Sequence, residues 1–121
     1  MANKTIRYLL PALAAIFVCG CVSMEQRVGE IKSRNPQWDQ ATVNSVAARQ
    51  VEVGMTHKMV VTALGKPDRQ SFEGDEEEWG YAVLIQNGWD FRKKLVYFIY
   101  FKDGKVVRTE GDRNKLDYAS W

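Results

Sequence analysis

An α+β domain is the fold class this sequence predicts: two short helices packed on one face of a three- to four-stranded antiparallel meander. Three observations predict it. Two segments with apolar residues at helical spacing come first, each opened by a capping residue. After Pro67 the apolar pattern changes from helical spacing to alternation. Asp103-Gly104 then separates two apolar runs, a two-residue hairpin signal.

The chain opens on an export signal. Lys4 and Arg7 give a positive start, residues 8–18 form an apolar run of 11, and Cys19-Gly20-Cys21 follow. The run is too short for a spanning helix, which takes about 20 apolar residues. Three readings of its exit stand: ordinary cleavage leaving Cys21 as a free thiol, an uncleaved anchor, or lipidation. Val18-Cys19-Gly20-Cys21 is similar to a bacterial lipobox, with Cys21 as the lipidated residue. Lipidation is preferred, because a reactive thiol at the N-terminus of an exported protein is a liability. Diacylglycerol and an N-acyl (palmitate) chain on Cys21 would anchor the protein firmly, each buried methylene contributing about 0.8 kcal/mol. The organisation is then 1–20 signal, 21–37 lipidated N-terminus and tether, 38–110 folded domain and 111–121 tail.

Charge and cysteine usage exclude much. Lys4 and Arg7 carry the whole formal excess of +2, so the processed chain is near neutral and has no electrostatic case for nucleic acid. With Cys19 removed and Cys21 lipidated, no internal disulfide forms. One histidine, no zinc-spaced cluster and no phosphate-binding glycine loop argue against an enzyme, a metal, a cofactor or a small-molecule substrate.

In residues 22–37, Ser23 with Gln26 has the form of a capping box, and Met24, Val28 and Ile31 share a helical face. Gly29 and Asn35-Pro36 weaken a helix there, so a marginal helix and a flexible tether both stand. Asp39 suits an N-cap, with Trp38 stapled onto Val43, and Val43, Val46 and Ala47 face inward; this helix should end near Arg49 or Gln50. Residues 51–54 read as an extended link. Thr56 caps the next helix, Met55 staples onto Val60, and Met59, Val60, Ala63 and Leu64 supply the buried stripe. Gly65 and Pro67 end it.

Strands are expected at 69–73, 77–85, 94–102 and 105–110, with a turn at 74–76 and a loop at 86–92. In the second, Trp79, Tyr81, Val83 and Ile85 share a side. In the third, Leu95, Tyr97, Ile99 and Phe101 point one way and Val96, Phe98 and Tyr100 the other. A two-residue hairpin would set Phe101 opposite Val106 and Tyr100 opposite Val107. A half-exposed strand normally alternates apolar with polar, and this one does not. The second face is therefore covered by the tail (Leu116, Tyr118, Trp121) or linker, offered to a partner, or holds a small molecule. The candidate partner-binding residues are Phe98, Tyr100, Val107 and Trp89. The acids at 75–78 read as a solvated turn, His57 as exposed in a first helical turn, and Arg92-Lys93-Lys94 as a soluble loop or a site for anionic headgroups or an acidic partner.

Val53-Gly54-Met55-Thr56, Val60 and Ala63-Leu64-Gly65-Lys66-Pro67 together resemble the signature of the SmpA/OmlA (BamE-like) small lipoprotein family. Glu78-Trp79-Gly80-Tyr81 and the Tyr100-Phe101-Lys102-Asp103-Gly104-Lys105-Val106 hairpin fit that family's strands. The resemblance implies an ααβββ domain, lipid-anchored on the periplasmic face of the outer membrane, that serves as an accessory or scaffold for envelope proteins, possible partners being the β-barrel assembly machinery. Val22 after Cys21, rather than Asp, agrees with sorting beyond the inner membrane. Residues 22–37 depart from the family's Asn- and Tyr-containing segment, so no binding residue is carried over from it. The helix-and-sheet arrangement also resembles the β-lactamase-inhibitor-protein domain. That implies an alternative, an inhibitor-like module binding through an aromatic sheet face.

Overall fold

The computed structural model describes residues 23–119, with side chains as far as Leu116. The signal, Cys21, the Tyr118 side chain and Trp121 lie outside the described residues. The order is α1 (Met24–Arg34), α2 (Gln40–Ala47), α3 (His57–Leu64), β1 (Arg69–Glu73), β2 (Glu76–Asn87), β3 (Asp90–Lys102), β4 (Lys105–Gly111) and a final 3-10 helix (Arg113–Ala119).

A third helix therefore joins the two expected, because Met24–Arg34 is helical. The Gln26 amide donates to the Ser23 hydroxyl and the Ser23 amide to the Gln26 side chain, each at 3.2 Å, closing the capping box. No residue of α1 is fully buried. It is held by Val28 and Ile31 against the core and by the Arg27 guanidinium, which donates to the Ala47 carbonyl at 2.9 Å. Docking rather than propensity maintains so short a helix.

Asp39 accepts the Thr42 amide at 2.8 Å and starts α2. The helix ends at Ala47 with Ala48 as its cap, earlier than expected, because Arg49 turns left-handed at φ 60. The Arg49 amide then bonds the Val46 carbonyl and the Gln50 amide the Ser45 carbonyl, a Schellman closure made without glycine. Thr56 caps α3 through the Met59 amide, and Gly65, at φ 84, ends it. The link before α3 is not extended but turns at Val53-Gly54. It lies along β4: the Gly54 amide donates to the Val106 carbonyl and the Val106 amide to the Met55 carbonyl, both at 2.8 Å. This covers an otherwise open sheet edge.

The strands run β1-β2-β3-β4, each antiparallel to the next, as an α+β meander. Val43, Val46, Val60, Trp79, Tyr81, Tyr97, Ile99, Phe101 and Val106 form the core between helices and sheet, with Trp38 and Met55 at its margin. The Tyr81 hydroxyl donates to the Gly65 carbonyl at 2.8 Å and ties the sheet to the end of α3. Leu116 returns from the 3-10 helix into this same core.

Two bulges correct the expected facing. Tyr97 pairs with Tyr81 but Leu95 with Ala82, so Val96 is an extra residue. Val96 packs on the core, while Leu95 changes side: its methyl carbon lies 3.0 Å from where a Cβ on Gly80 would sit, with the Phe98 ring close by. The second bulge sets Phe101 opposite Val106 as expected, but Tyr100 opposite Arg108, leaving Val107 as the surplus residue. A third correction concerns residues 86–92. They form no loop: Asn87 pairs with Asp90, and the turn is only Gly88-Trp89. Gly88 has φ 65 at the first turn position, which II′ hairpins reserve for glycine.

Candidate docking face and hairpin arm

The sheet surface turned away from the helices carries Leu95, Phe98 and Tyr100 from β3, and charged residues from the strands on either side. The Arg69 guanidinium lies 5.9 Å from the Phe98 ring centroid and donates to Glu78 at 2.7 Å. Arg108 lies 3.9 Å from the Tyr100 centroid and holds both oxygens of Glu76 at 2.6 and 2.5 Å. The Tyr100 hydroxyl donates to Glu110 at 3.1 Å. Burial, then the Glu110 bond, pushes that hydroxyl up to about 12. Phe98 and Tyr100 are accordingly half-buried.

The doubly apolar strand is thus covered neither by tail nor by linker among the described residues. Arginines from the adjacent strands lie over its rings, presenting charge outward and methylene stems inward. An inhibitor of the aromatic-face type needs those rings bare, and that reading gains no support. What the surface offers is a patterned polar layer: Arg69 and Arg108 interleaved with Glu76, Glu78 and Glu110. A groove of about 320 Å³ runs along it, lined by Glu73, Asp75, Glu76, Glu78, Tyr100 and Arg108.

The run of acids at 75–78 is not merely a solvated turn. Alternation sends Glu76 and Glu78 to the outer face and Glu77 to the helix side, while Asp75 pairs with Lys102 at 3.2 Å. Glu77 accepts from His57 Nε2 at 2.8 Å, Trp79 Nε1 at 2.6 Å and Gln70 Nε2 at 2.5 Å. Burial raises its carboxyl, but the three donors outweigh burial and hold it below the ordinary glutamate range. His57 is not a free surface residue either: its ring stacks on Phe101 at 4.0 Å between centroids. This cluster joins α3 to β1 and β2 and has the character of a structural clamp.

The four candidate residues do not converge. Phe98 and Tyr100 share the outer face, and Val107 is exposed at the second bulge. Trp89 stands in the Gly88-Trp89 turn between β2 and β3, about 25 Å along the sheet from Phe98 at strand spacing. Sequence reading missed Arg69 and Arg108. Neither had a readable signal: β1 buries no residue that would mark its inner side, and strict alternation would put Arg108 on the core side with Val106, from which only the surplus residue Val107 turns it outward.

Among the described residues no cluster of His, Cys, Asp or Glu suits a metal ion, and no helix is long and apolar enough to cross a membrane.

Comparison with known proteins supplies the context. Residues 41–111 match the model of the outer membrane protein assembly factor BamE domain. The chain is also 31% identical, over 114 residues, to the outer membrane protein assembly factor BamE of Neisseria meningitidis serogroup B, covering 91% of this chain and 85% of that protein.

Proposed function

The chain belongs to the BamE family of outer-membrane assembly-factor domains, and from that premise we propose that it is a lipid-anchored accessory of outer-membrane protein assembly. The family match carries the reading. It spans α2 through β4, the part of the chain that builds both the core and the outer sheet face. The signal and Cys21 supply the second support: a lipid on Cys21 would hold the domain at the periplasmic face of the outer membrane, where confinement raises its effective concentration near envelope proteins.

In this reading the domain performs no chemistry. It binds envelope proteins, most directly the machinery that folds β-barrels into the outer membrane. The surface used is the outer sheet face, where Phe98 and Tyr100 supply ring area and Arg69, Arg108, Glu76 and Glu78 supply directional charge. Half-buried aromatics framed by exchangeable ion pairs suit a docking surface, because a partner's own charges can replace the intramolecular ones as they become buried.

In-cell crosslinking from position 100 or 108, followed by membrane extraction and mass spectrometry, tests the proposal. Recovery of barrel-assembly subunits is expected, together with an N-terminal peptide whose Cys21 carries acyl chains. Recovery of unrelated partners alone, or an unmodified Cys21 on freely soluble protein, overturns it.

A further inference from the structure

On the helix side of the domain a wedge of about 270 Å³ opens between α1 and α3. Glu30, Ile31 and Arg34 of α1 line it, together with the cap residue Asn35 and with Lys58 and Thr62 of α3. Its wall contains an orphaned acceptor. Asn35 is only 4% exposed, yet its Oδ1 has no hydrogen-bond partner. Turning the amide over gives no relief: Nδ2 donates to the Ile31 carbonyl at 3.1 Å, and the exchange would set oxygen against oxygen there. Any N–H brought to such an acceptor is rewarded, because leaving it without one carries its full desolvation cost. The rest of the wall is charged. Among the described residues Arg34 and Lys58 hold no ion pair, and neither does Glu30, although it stands one turn from Arg34 on α1. The other cation of this turn, Lys32, is committed to the Pro36 and Trp38 carbonyls. The Thr62 hydroxyl donates to the Lys58 carbonyl at 2.7 Å, so its oxygen is left to accept.

We propose that this wedge receives the C-terminal end of a peptide, its terminal carboxylate held by Arg34 and Lys58 and its last backbone N–H given to Asn35 Oδ1. Three features select that chemistry. Two cations without partners call for an anion. The acceptors of Asn35 and Thr62 call for an N–H beside that anion, which sulfate or a phosphodiester does not carry. Glu30, a carboxylate in the same wall, weighs against a multiply charged ligand. A chain end satisfies all three, because one residue supplies a single carboxylate and an amide N–H together. Ile31 gives its last side chain an aliphatic contact, so an aliphatic C-terminal residue suits the wedge best. The proposal goes beyond the assembly reading and does not depend on it: α1 and Asn35 lie outside residues 41–111, the part that matches the family.

The test titrates the full processed protein, isotope-labelled and held in neutral detergent micelles, with acetyl-alanyl-alanyl-leucine while its amide signals are followed by nuclear magnetic resonance. Saturable shifts are expected in the Asn35 side-chain amide and in the backbone amides of Arg34, Lys58 and Thr62. The same peptide with an amidated C-terminus should bind about tenfold more weakly or worse, because the charge that Arg34 and Lys58 hold is gone. An analogue whose last amide is replaced by an ester should also lose about tenfold, because it keeps the carboxylate and lacks only the N–H. Arg34 and Lys58 are exposed, so an Arg34→Gln/Lys58→Gln variant should keep its near-UV circular dichroism and lose the shifts. Absence of saturable shifts overturns the proposal, as does equal binding of the amidated peptide. Equal binding of the ester analogue, or of acetate alone, overturns it as well, since the wedge would then read charge and not a chain end.

Discussion

Arg108 lies over the Tyr100 ring, its guanidinium 3.9 Å from the centroid, while the same guanidinium grips Glu76 from two strands away. One side chain thereby links β4, β3 and β2 across the outer face and shields a ring that would otherwise meet water. Arg108 is about half exposed, so this is a surface interaction with surface energetics. Arg108→Ala should cost about 1 kcal/mol, the sum of an exposed cation–π contact and an exposed ion pair. Tyr100→Ala should cost about 1–2 kcal/mol, against about 3–5 kcal/mol for Phe101→Ala in the core. Urea unfolding of the three variants measures the contrast. A Tyr100→Ala loss equal to that of Phe101→Ala would make Tyr100 a core residue and withdraw it from any docking role.

Glu77 should make the fold sensitive to acid. Burial raises its carboxyl, but His57, Trp79 and Gln70 donate to the ionised form, outweigh burial and hold it below the ordinary glutamate range. A depressed carboxyl contributes stability that is present above its unfolded pKa and lost as pH falls through its folded pKa. Stability should therefore decline below about pH 4.5. Glu77→Gln should flatten that decline and lower stability at neutral pH by about 1–3 kcal/mol, since the buried Trp79 Nε1–H and the His57 ring lose a charged acceptor. Chemical denaturation at a series of pH values reads both effects. An unchanged acid slope in Glu77→Gln would show that other carboxylates set it.

The two N-caps should behave differently. Asp39 begins a helix with Val43, Val46 and Ala47 fully buried, whereas α1 buries no residue. Asp39→Ala should cost the whole domain about 1 kcal/mol. Ser23→Ala should leave the melting temperature nearly unchanged and instead speed amide exchange within α1, because that helix can open without breaching the core. Hydrogen exchange followed residue by residue separates the cases. Global destabilisation by Ser23→Ala would make α1 part of the cooperative unit.

Much of this was legible from residues alone, and what was not has identifiable causes. Thr56, Gly65 and Pro67 agree on one helix, and α3 has those bounds. The end of α2 was misplaced because Arg49 performs the left-handed turn that glycine usually signals. The alternation of β3 was readable, but a bulge leaves no compositional mark. Val96 and Leu95 are both aliphatic, so which of them turns inward is decided by pairing with β2 and β4 and by the room Gly80 leaves beneath Leu95. The outer face stayed open between cover by tail or linker, a partner and a small molecule for a similar reason. The side chains over its rings are Arg69 and Arg108, distant in sequence and adjacent only once the strands pair. The Asn87-Gly88 signal was present, but a wide loop was read where a two-residue turn suffices.

Gly111 offers the sharpest test of that bulge. It closes β4 opposite Tyr97 at φ 91, in a region that side chains avoid, and a Cβ there would lie 2.2 Å from the Val96 carbonyl oxygen and 3.2 Å from the Tyr97 Cα. Both are backbone atoms of β3, so neither can move without disturbing the strand that bears the core. The next residue also depends on this geometry, since the Asp112 amide donates to the same Val96 carbonyl at 3.3 Å and starts the chain back toward Leu116. Gly88 has a similarly positive φ of 65, but nothing lies within 4 Å of its would-be Cβ. Gly88→Ala should therefore cost about 1 kcal/mol, the left-handed strain alone. Gly111→Ala adds a backbone clash and should cost about 3 kcal/mol or more, with loss of exchange protection at Asp112. Urea midpoints of the two variants settle it: equal losses would mean that the bulge at Val96 yields freely, and that neither it nor the return of Leu116 constrains the sheet.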